Sequence, residues 1–318
     1  MSENKKNIIF NKTNKILLII LLSLTIIYII SFTKSCSSTD KREIIKTALV
    51  NKKYEDKIET FELQSNGKLL TLTKLNDSWY IIPSDNPEIS LPADNNRINR
   101  FITDLITVNE MYKLSDKIEK NSAFGFDSPT SFNIRYYLKD NGGFNDIIFG
   151  NQDFALSSRY MMSGKNTTVY EISNKLDKYL STEVQSWAEP YIISQQFLGP
   201  IKVNDIQRAV VKYTENNETT TKIIDGKEFN SKLLELRHGG FPTSYYFNFE
   251  MFNNPLLEIK LEMGNRNNIL LKIVQSAKND EQEYFVEVTY ENNKENTNYT
   301  SYSKISGWTY NKIKEIML

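Results

Sequence analysis

Residues 57–75, KIETFELQSNGKLLTLTKL, decide the fold. Ile58, Thr60 and Glu62 alternate with Glu59, Phe61 and Leu63, and alternation resumes over 69–75. A two-residue period sends successive side chains to opposite faces of a strand. Asn66-Gly67 between the two runs is the dipeptide that tight hairpin turns select, because both residues accept positive φ. The stretch reads as an antiparallel hairpin with one face to bury. Trp79-Tyr80-Ile81-Ile82 makes a third short strand, which Pro83 ends.

Working toward the C-terminus, Asp94 opens a helix that places Ile98, Phe101, Ile102, Leu105 and Val108 at three- and four-residue spacing. After the turn Gly125-Phe126-Asp127-Ser128-Pro129, strands fit 132–138, 146–149, 158–162 and 168–172, with Asn141-Gly142-Gly143 as the turn between the first two. Ser173 is placed to cap a short helix through Leu180. The order then recurs. Strands fit 204–213 and 219–224, Asp225-Gly226 leads into a helix over 228–236, and Asn253-Asn254-Pro255 parallels Asp127-Ser128-Pro129 ahead of a strand at 256–263. Strands at 269–274, 284–290 and 298–303 follow, and a helix over 306–317 ends the chain. Strands in hairpins with a few covering helices give an α+β class, mainly antiparallel sheets in two pseudo-repeated halves.

Toward the N-terminus, residues 16–32, ILLIILLSLTIIYIISF, carry no charge over 17 positions. A helix of that length rises roughly 25 Å, slightly less than a ~30 Å hydrocarbon core. Lys15 and Lys34 flank it, with stems long enough to snorkel. The reading is a single N-terminal transmembrane helix. The expected division is a cytoplasmic tail at 1–15, the span at 16–32, a juxtamembrane stalk at 33–56, a first α+β lobe at 57–200 and a second at 201–318. A short basic tail before a first apolar helix usually stays cytoplasmic, so the body is expected outside the bacterial cytoplasmic membrane. Two other readings stand beside it. A cleaved secretory signal meets no A-x-A-like site. Lipidation at Cys36, the single cysteine, meets a charge at Lys34 where such signals want small or apolar residues.

Lysine plus arginine and aspartate plus glutamate both number 39, so the net charge is zero. That balance argues against electrostatic capture of nucleic acid. One cysteine allows no intrachain disulfide, and 18 Tyr and 17 Phe supply strand-favouring core material instead.

A family resemblance lies over about 79–195. Trp79 and a polar loop precede Pro92-Ala93-Asp94 at a helix start; Phe124-Gly125-Phe126-Asp127-Ser128-Pro129 resembles a "yGLd-P" turn. Ile148-Phe149-Gly150 resembles an "iG" strand end, and Arg159-Tyr160 and Val169-Tyr170 fit later "Y…vY" strands. In that order these motifs resemble the bacterial domain of unknown function 4340, with Phe126 where Leu is more usual. The resemblance implies a membrane helix, an extracytoplasmic body and association with gliding-motility-type ABC transport systems beside a permease and an auxiliary subunit. It implies no catalytic residue.

Candidate chemistry is sparse. His238-Gly239-Gly240 resembles an esterase oxyanion loop but lacks the G-x-S-x-G elbow. It reads better as a turn after a helix, with Gly239 as the stop. Gly164-Lys165-Asn166-Thr167 and Gly226-Lys227 lack the spacing and hydroxyl of a phosphate loop and read as hairpin turns. No H-E-x-x-H, paired cysteines or D-x-D-x-D-G loop is present, so no metal or cofactor is expected. Gly125, Phe126, Asp127 and Pro129 are the candidate partner-binding turn, against a turn that only positions the next strand. Trp79, Trp187 and Trp308 fit the core better than carbohydrate platforms. The expected function is a non-enzymatic accessory or scaffold subunit of an ABC-type transport or envelope assembly. An extracytoplasmic glycan- or peptide-binding protein, with a cleft between the halves, is the alternative. A hydrolase using carboxylates such as Asp94 and Asp104 is a third reading.

Overall fold

The computed structural model describes residues 12–37, 43–116, 121–139, 142–164, 167–196, 203–216, 218–264, 267–276, 282–292 and 297–318. The chain divides into Met1–Ile44 and Ile45–Leu318. The first unit contains one helix, α1 (Lys12–Ser37), apolar on all sides over its described side chains. Ser23 Oγ donates to Ile20 O at 2.8 Å and Thr25 Oγ1 to Leu21 O at 2.7 Å, so its hydroxyls are satisfied within the helix. Among the described residues no helix is long and apolar enough to cross a membrane; the described side chains of α1, 16–28, rise only about 20 Å.

In the second unit, ten strands form the first sheet: β1 (Ile44–Thr47), β2 (Ile58–Ser65), β3 (Lys68–Leu75), β4 (Ser78–Ile82), β5 (Leu91–Pro92), β6 (Asn109–Ser115), β7 (Phe132–Leu138), β8 (Phe144–Gln152), β9 (Ser158–Ser163) and β10 (Val169–Ser173). Their order is β1-β6-β10-β9-β8-β7-β2-β3-β4-β5. Asn66 and Gly67, at φ 51° and 71°, close the β2–β3 hairpin, and Asn76 and Asp77, at 48° and 65°, close β3–β4. Both are two-residue turns whose twist matches the strands. β7 alternates buried and half-buried residues along its whole length. The buried face packs Phe61, Leu63, Leu72, Ile134 and Phe149 against Ile98, Phe101 and Leu105 of α2 (Asn95–Ile106). A four-residue helix, α3 (Asn121–Phe124), precedes the 125–129 turn.

The second sheet holds β11 (Ile206–Glu215), β12 (Glu218–Asp225), β13 (Leu257–Met263), β14 (Asn268–Gln275), β15 (Glu283–Asn292) and β16 (Thr297–Ser306), in the order β12-β11-β13-β14-β15-β16. α4 (Gly307–Met317) covers one face with Tyr310, Ile313 and Met317. The six-strand order matches β3-β2-β7-β8-β9-β10 of the first sheet. Even an irregularity recurs. The β2–β7 register shifts between Ile58 and Thr60, and the β11–β13 register shifts between Ile206 and Arg208, each at the start of the strand. β1, β4, β5, β6 and α2 are additions to the first sheet.

Several sequence expectations are corrected. The 33–56 stretch is not a separate stalk throughout. α1 continues to Ser37, β1 joins the first sheet, and Val50 is buried and donates its N–H to Leu105 O at 3.0 Å. The helix expected over 228–236 is a 3-10 turn, Ser231–Glu235. Ser173 makes no capping bond, since it still pairs with Ser158 in β10, and the turn after it is 3-10 over Asn174–Tyr179. α2 ends at Ile106, leaving Val108 exposed. Trp308 is 72% exposed, because it lies opposite the Tyr310–Ile313–Met317 stripe of α4.

Candidate functional site

The 125–129 turn is built by close packing. Gly125 holds φ at 76°, and a Cβ there would overlap the Asn151 side chain. A Cβ on Gly150 would strike the Phe124 carbonyl, so β8 runs directly against the turn. Phe126 is buried, and Pro129 O accepts from Asn66 N–H at 2.9 Å, which ties the turn to the first hairpin. Asp127 and Pro129 are exposed. Gly125 and Phe126 thus hold the backbone, and Asp127 and Pro129 are what the turn offers to solvent.

A second constellation sits where the chain crosses between the sheets. Residues 187–196 leave α2's end of the first sheet: Asp94 N–H donates to Trp187 O (2.7 Å), Ala93 bridges Ala188, and Glu189 N–H reaches Pro92 O (2.9 Å). They then pair with the segment before His238: Ile192 N–H donates to Leu236 O (2.9 Å), Tyr191 bridges Arg237, and His238 N–H reaches Pro190 O (3.1 Å). Inside this crossing the Ser194 hydroxyl donates to the Glu189 carboxylate, and Gln195 N–H donates to Glu189 Oε1 at 3.0 Å. Burial pushes the Glu189 carboxyl above its ordinary range, the Ser194 and Gln195 bonds oppose this, and the nearby Asp94 charge adds to it. Ser194 N–H in turn donates to the hydroxyl of buried Tyr290 at 2.5 Å.

His238 has fixed chemistry here. Gly240 N–H donates to its Nδ1 at 3.0 Å, so Nδ1 is the unprotonated nitrogen and Nε2–H donates to Glu189 O at 2.8 Å. Burial lowers its pKa, which keeps the ring neutral. The imidazole faces the Glu189 carbonyl, not its carboxylate, so Ser194, Glu189 and His238 do not form a nucleophile–base relay. Gly239 stops no helix; its N–H donates to Lys304 O at 2.7 Å.

Beside the junction lies a cleft of about 450 Å³, lined from both sheets by Lys68, Asn86, Glu183, Gln185, Phe241 and Lys304 among others. Lys68 Nζ meets Glu183 Oε1 at 2.7 Å across its wall, and Gln185 Nε2 donates to Gly239 O at 3.0 Å. It presents both charge signs, amide groups and one aromatic ring, a lining suited to a polar chain rather than to an anion. Phe241 is the single aromatic ring on its described walls, where a glycan cleft would present several.

The remaining candidates are dispersed. Trp79 and Trp187 are core residues. Asp94 Oδ1 caps α2 by accepting Arg97 N–H at 2.9 Å, and Asp104, ten residues on, accepts from Tyr179 OH (2.9 Å) and Lys178 (3.0 Å). Ten residues of helix place the two carboxylates about 15 Å apart, too far to act as a catalytic pair. Gly226 turns the chain after β12, with its N–H donating to Gln207 O at 2.8 Å. Lys165, Asn166 and Asn141 lie outside the described residues, as does the side chain of Cys36. Among the described residues no three His, Cys, Asp or Glu side chains converge as a metal site. The Glu189–Ser194–His238 junction was missed in the sequence; its signal is a lone carboxylate inside the apolar run Trp187-Ala188-Glu189-Pro190-Tyr191-Ile192-Ile193.

A comparison with curated proteins and with solved structures finds no match. Among protein families, the model described as Domain of unknown function (DUF4340) matches residues 86–238. That stretch begins after β4, continues past the resemblance at 79–195, and ends at His238, so it includes the whole crossing between the sheets. The match over residues 86–238 supports the resemblance to this domain-of-unknown-function family.

Proposed function

We propose that this chain is a single-pass membrane protein whose α+β body lies outside the cytoplasm as a non-enzymatic accessory or scaffold subunit of an ABC-type transport or envelope assembly. The observation that carries the reading is α1, a 26-residue helix whose sequence is uncharged over 16–32. That uncharged stretch rises roughly 25 Å against a ~30 Å hydrocarbon core, and Lys15 and Lys34 at its ends have stems long enough to snorkel. Its internally bonded Ser23 and Thr25 hydroxyls support the same reading, because lipid offers them no partner. The transport association comes from the family resemblance. Anchoring raises the body's effective concentration for partners in the same membrane. Asp127 and Pro129 are the surface that the 125–129 turn brings to such a partner. Carbonate washing is expected to leave the full chain in the membrane fraction, and protease added to spheroplasts is expected to degrade the body. Release by carbonate, or protection of the body, overturns the proposal.

We also propose a second reading, an extracytoplasmic glycan- or peptide-binding (lipo)protein, whose peptide version the polar lining of the junction cleft supports. It predicts that short peptides or chito-oligosaccharides raise the melting temperature of the full chain. It also predicts that Lys68→Glu, which places two carboxylates side by side, removes the shift. Metabolic labelling with an alkyne fatty acid, lost in Cys36→Ser, tests the lipid-anchored version.

A further inference from the structure

Four strand edges terminate the two sheets, and three are short or covered. β1 has four residues. β5 has two and packs against β16, with Ser90 Oγ and Tyr299 OH 2.9 Å apart. β16 is bonded at Lys304, whose N–H donates to Gly240 O (2.9 Å) and whose carbonyl accepts from Gly239. β12 differs. It pairs with β11 in an unbroken register from Arg208↔Asp225 to Glu215↔Glu218, and among the described residues no strand pairs with its other side. Every side chain on it except Ile224 is exposed, Ile223 by 64%. Its sequence, ETTTKIID, is rich in β-branched residues and has neither Pro nor Gly. A long, regular, uncovered edge of this composition is a template for another strand.

We infer that β12 pairs antiparallel with β12 of a second copy of this chain, about a two-fold axis at Thr220, to make one twelve-stranded sheet. Hydrogen-bond parity and charge select this register. The β11–β12 connection leaves two residues between Glu215 and Glu218, with Asn216 at φ 51°, so Glu215/Glu218 is a hydrogen-bonded pair. Glu218, Thr220 and Lys222 therefore direct their N–H and C=O groups to β11, and Thr219, Thr221 and Ile223 direct theirs outward. A second β12 must set odd positions opposite odd ones. The axis at Thr220 does so, with Thr219 opposite Thr221 and Glu218 opposite Lys222, twice by symmetry. These charges occupy non-hydrogen-bonded pairs, where side chains approach most closely. An axis at Thr221 sets Glu218 against Ile224 and loses both ion pairs. An axis between Thr221 and Lys222 breaks the parity and opposes Glu218 to Asp225. Lys222 Nζ donates to Leu318 O at 2.8 Å, which holds the ammonium at the strand with further protons to give.

The inference does not rest on the membrane anchor and is tested with the full chain both in detergent and in membranes. In a Cys36→Ser background, Thr220→Cys sets two thiols at the two-fold axis, within disulfide reach. Mild oxidation is expected to give a covalent dimer. Thr219→Cys is expected to stay monomeric, because its symmetry mate is displaced along the strand. Lys222→Glu in the Thr220→Cys chain is expected to lower the dimer fraction about tenfold, and adding Glu218→Lys to restore it. Circular dichroism and melting temperature verify that each variant is folded. A monomeric Thr220→Cys chain overturns the inference, as does equal crosslinking at positions 219 and 220, or a dimer indifferent to Lys222→Glu.

Discussion

Leu156 holds φ at 56°, the one large apolar residue in the left-handed region among the described residues. Its N–H donates to Asp153 O (3.1 Å) and its carbonyl accepts from Asn174 Nδ2 (2.9 Å), while Asp153 Oδ1 takes the Ser157 and Ser158 amides at 2.8 and 2.9 Å. The β8–β9 loop thus imposes a conformation that costs an L side chain roughly 1–2 kcal/mol. The exposed leucine side chain recovers little of that cost. Leu156→Asn, which keeps the loop and tolerates the left-handed region, is expected to stabilise the body by about 0.5–1 kcal/mol, read as a higher melting temperature. Trp187 is the opposite case. It is fully buried, within 5.3 Å of the Phe101 ring and 5.0 Å of the Arg97 guanidinium, and its Nε1–H donates to Ser181 O at 2.8 Å. Trp187→Phe leaves a void and an unmet carbonyl, and a loss of about 3 kcal/mol in urea unfolding is expected.

Among the elements, those whose signals are local appear where the sequence places them. α2 begins at the Asp94 cap, and its buried Ile98, Phe101, Ile102 and Leu105 were legible as a helical stripe. Asp94→Ala is expected to cost about 1 kcal/mol, measured by the urea midpoint, through loss of the Arg97 N–H bond. The 231–235 segment shows the limit of such reading. Asn230 accepts Lys232 N–H at 3.1 Å and starts a turn, but Leu236 and Arg237 turn extended to bond Ile192 and Tyr191. A nine-residue helix is marginal by itself, and two tertiary backbone pairings outweigh its propagation.

For the whole molecule, the junction between the sheets has a distinct acid response. Burial holds His238 below its ordinary pKa of 6.5, so the unfolded chain binds the proton first. That contribution is full above about 6.5 and is lost as pH falls below it. Glu189 has the opposite sign. Its folded pKa stands above the ordinary 4.5, so the neutral acid's stabilisation is present below 4.5 and lost as pH rises through the raised value. Glu189→Gln removes this dependence. Its melting temperature relative to the parent chain is expected to be constant below about pH 4.5 and to rise as pH climbs through the raised value, as melting curves of both chains across pH will show.

The sequence by itself determined what depends on near neighbours. Alternation over 57–75, the Asn66-Gly67 turn, the Asp94 cap and the Gly125 turn each follow from backbone geometry within a few residues, and so does the mainly antiparallel α+β class. Tertiary structure alone decided which strands meet. β2 pairs with β7 and β11 with β13 across intervening chain, because burial of the two apolar faces sets the order and no local periodicity encodes it. The same holds for the junction. Glu189, Ser194 and His238 read as unrelated residues along the chain. They become one hydrogen-bonded unit only because buried polar groups without water must find partners wherever packing brings them together.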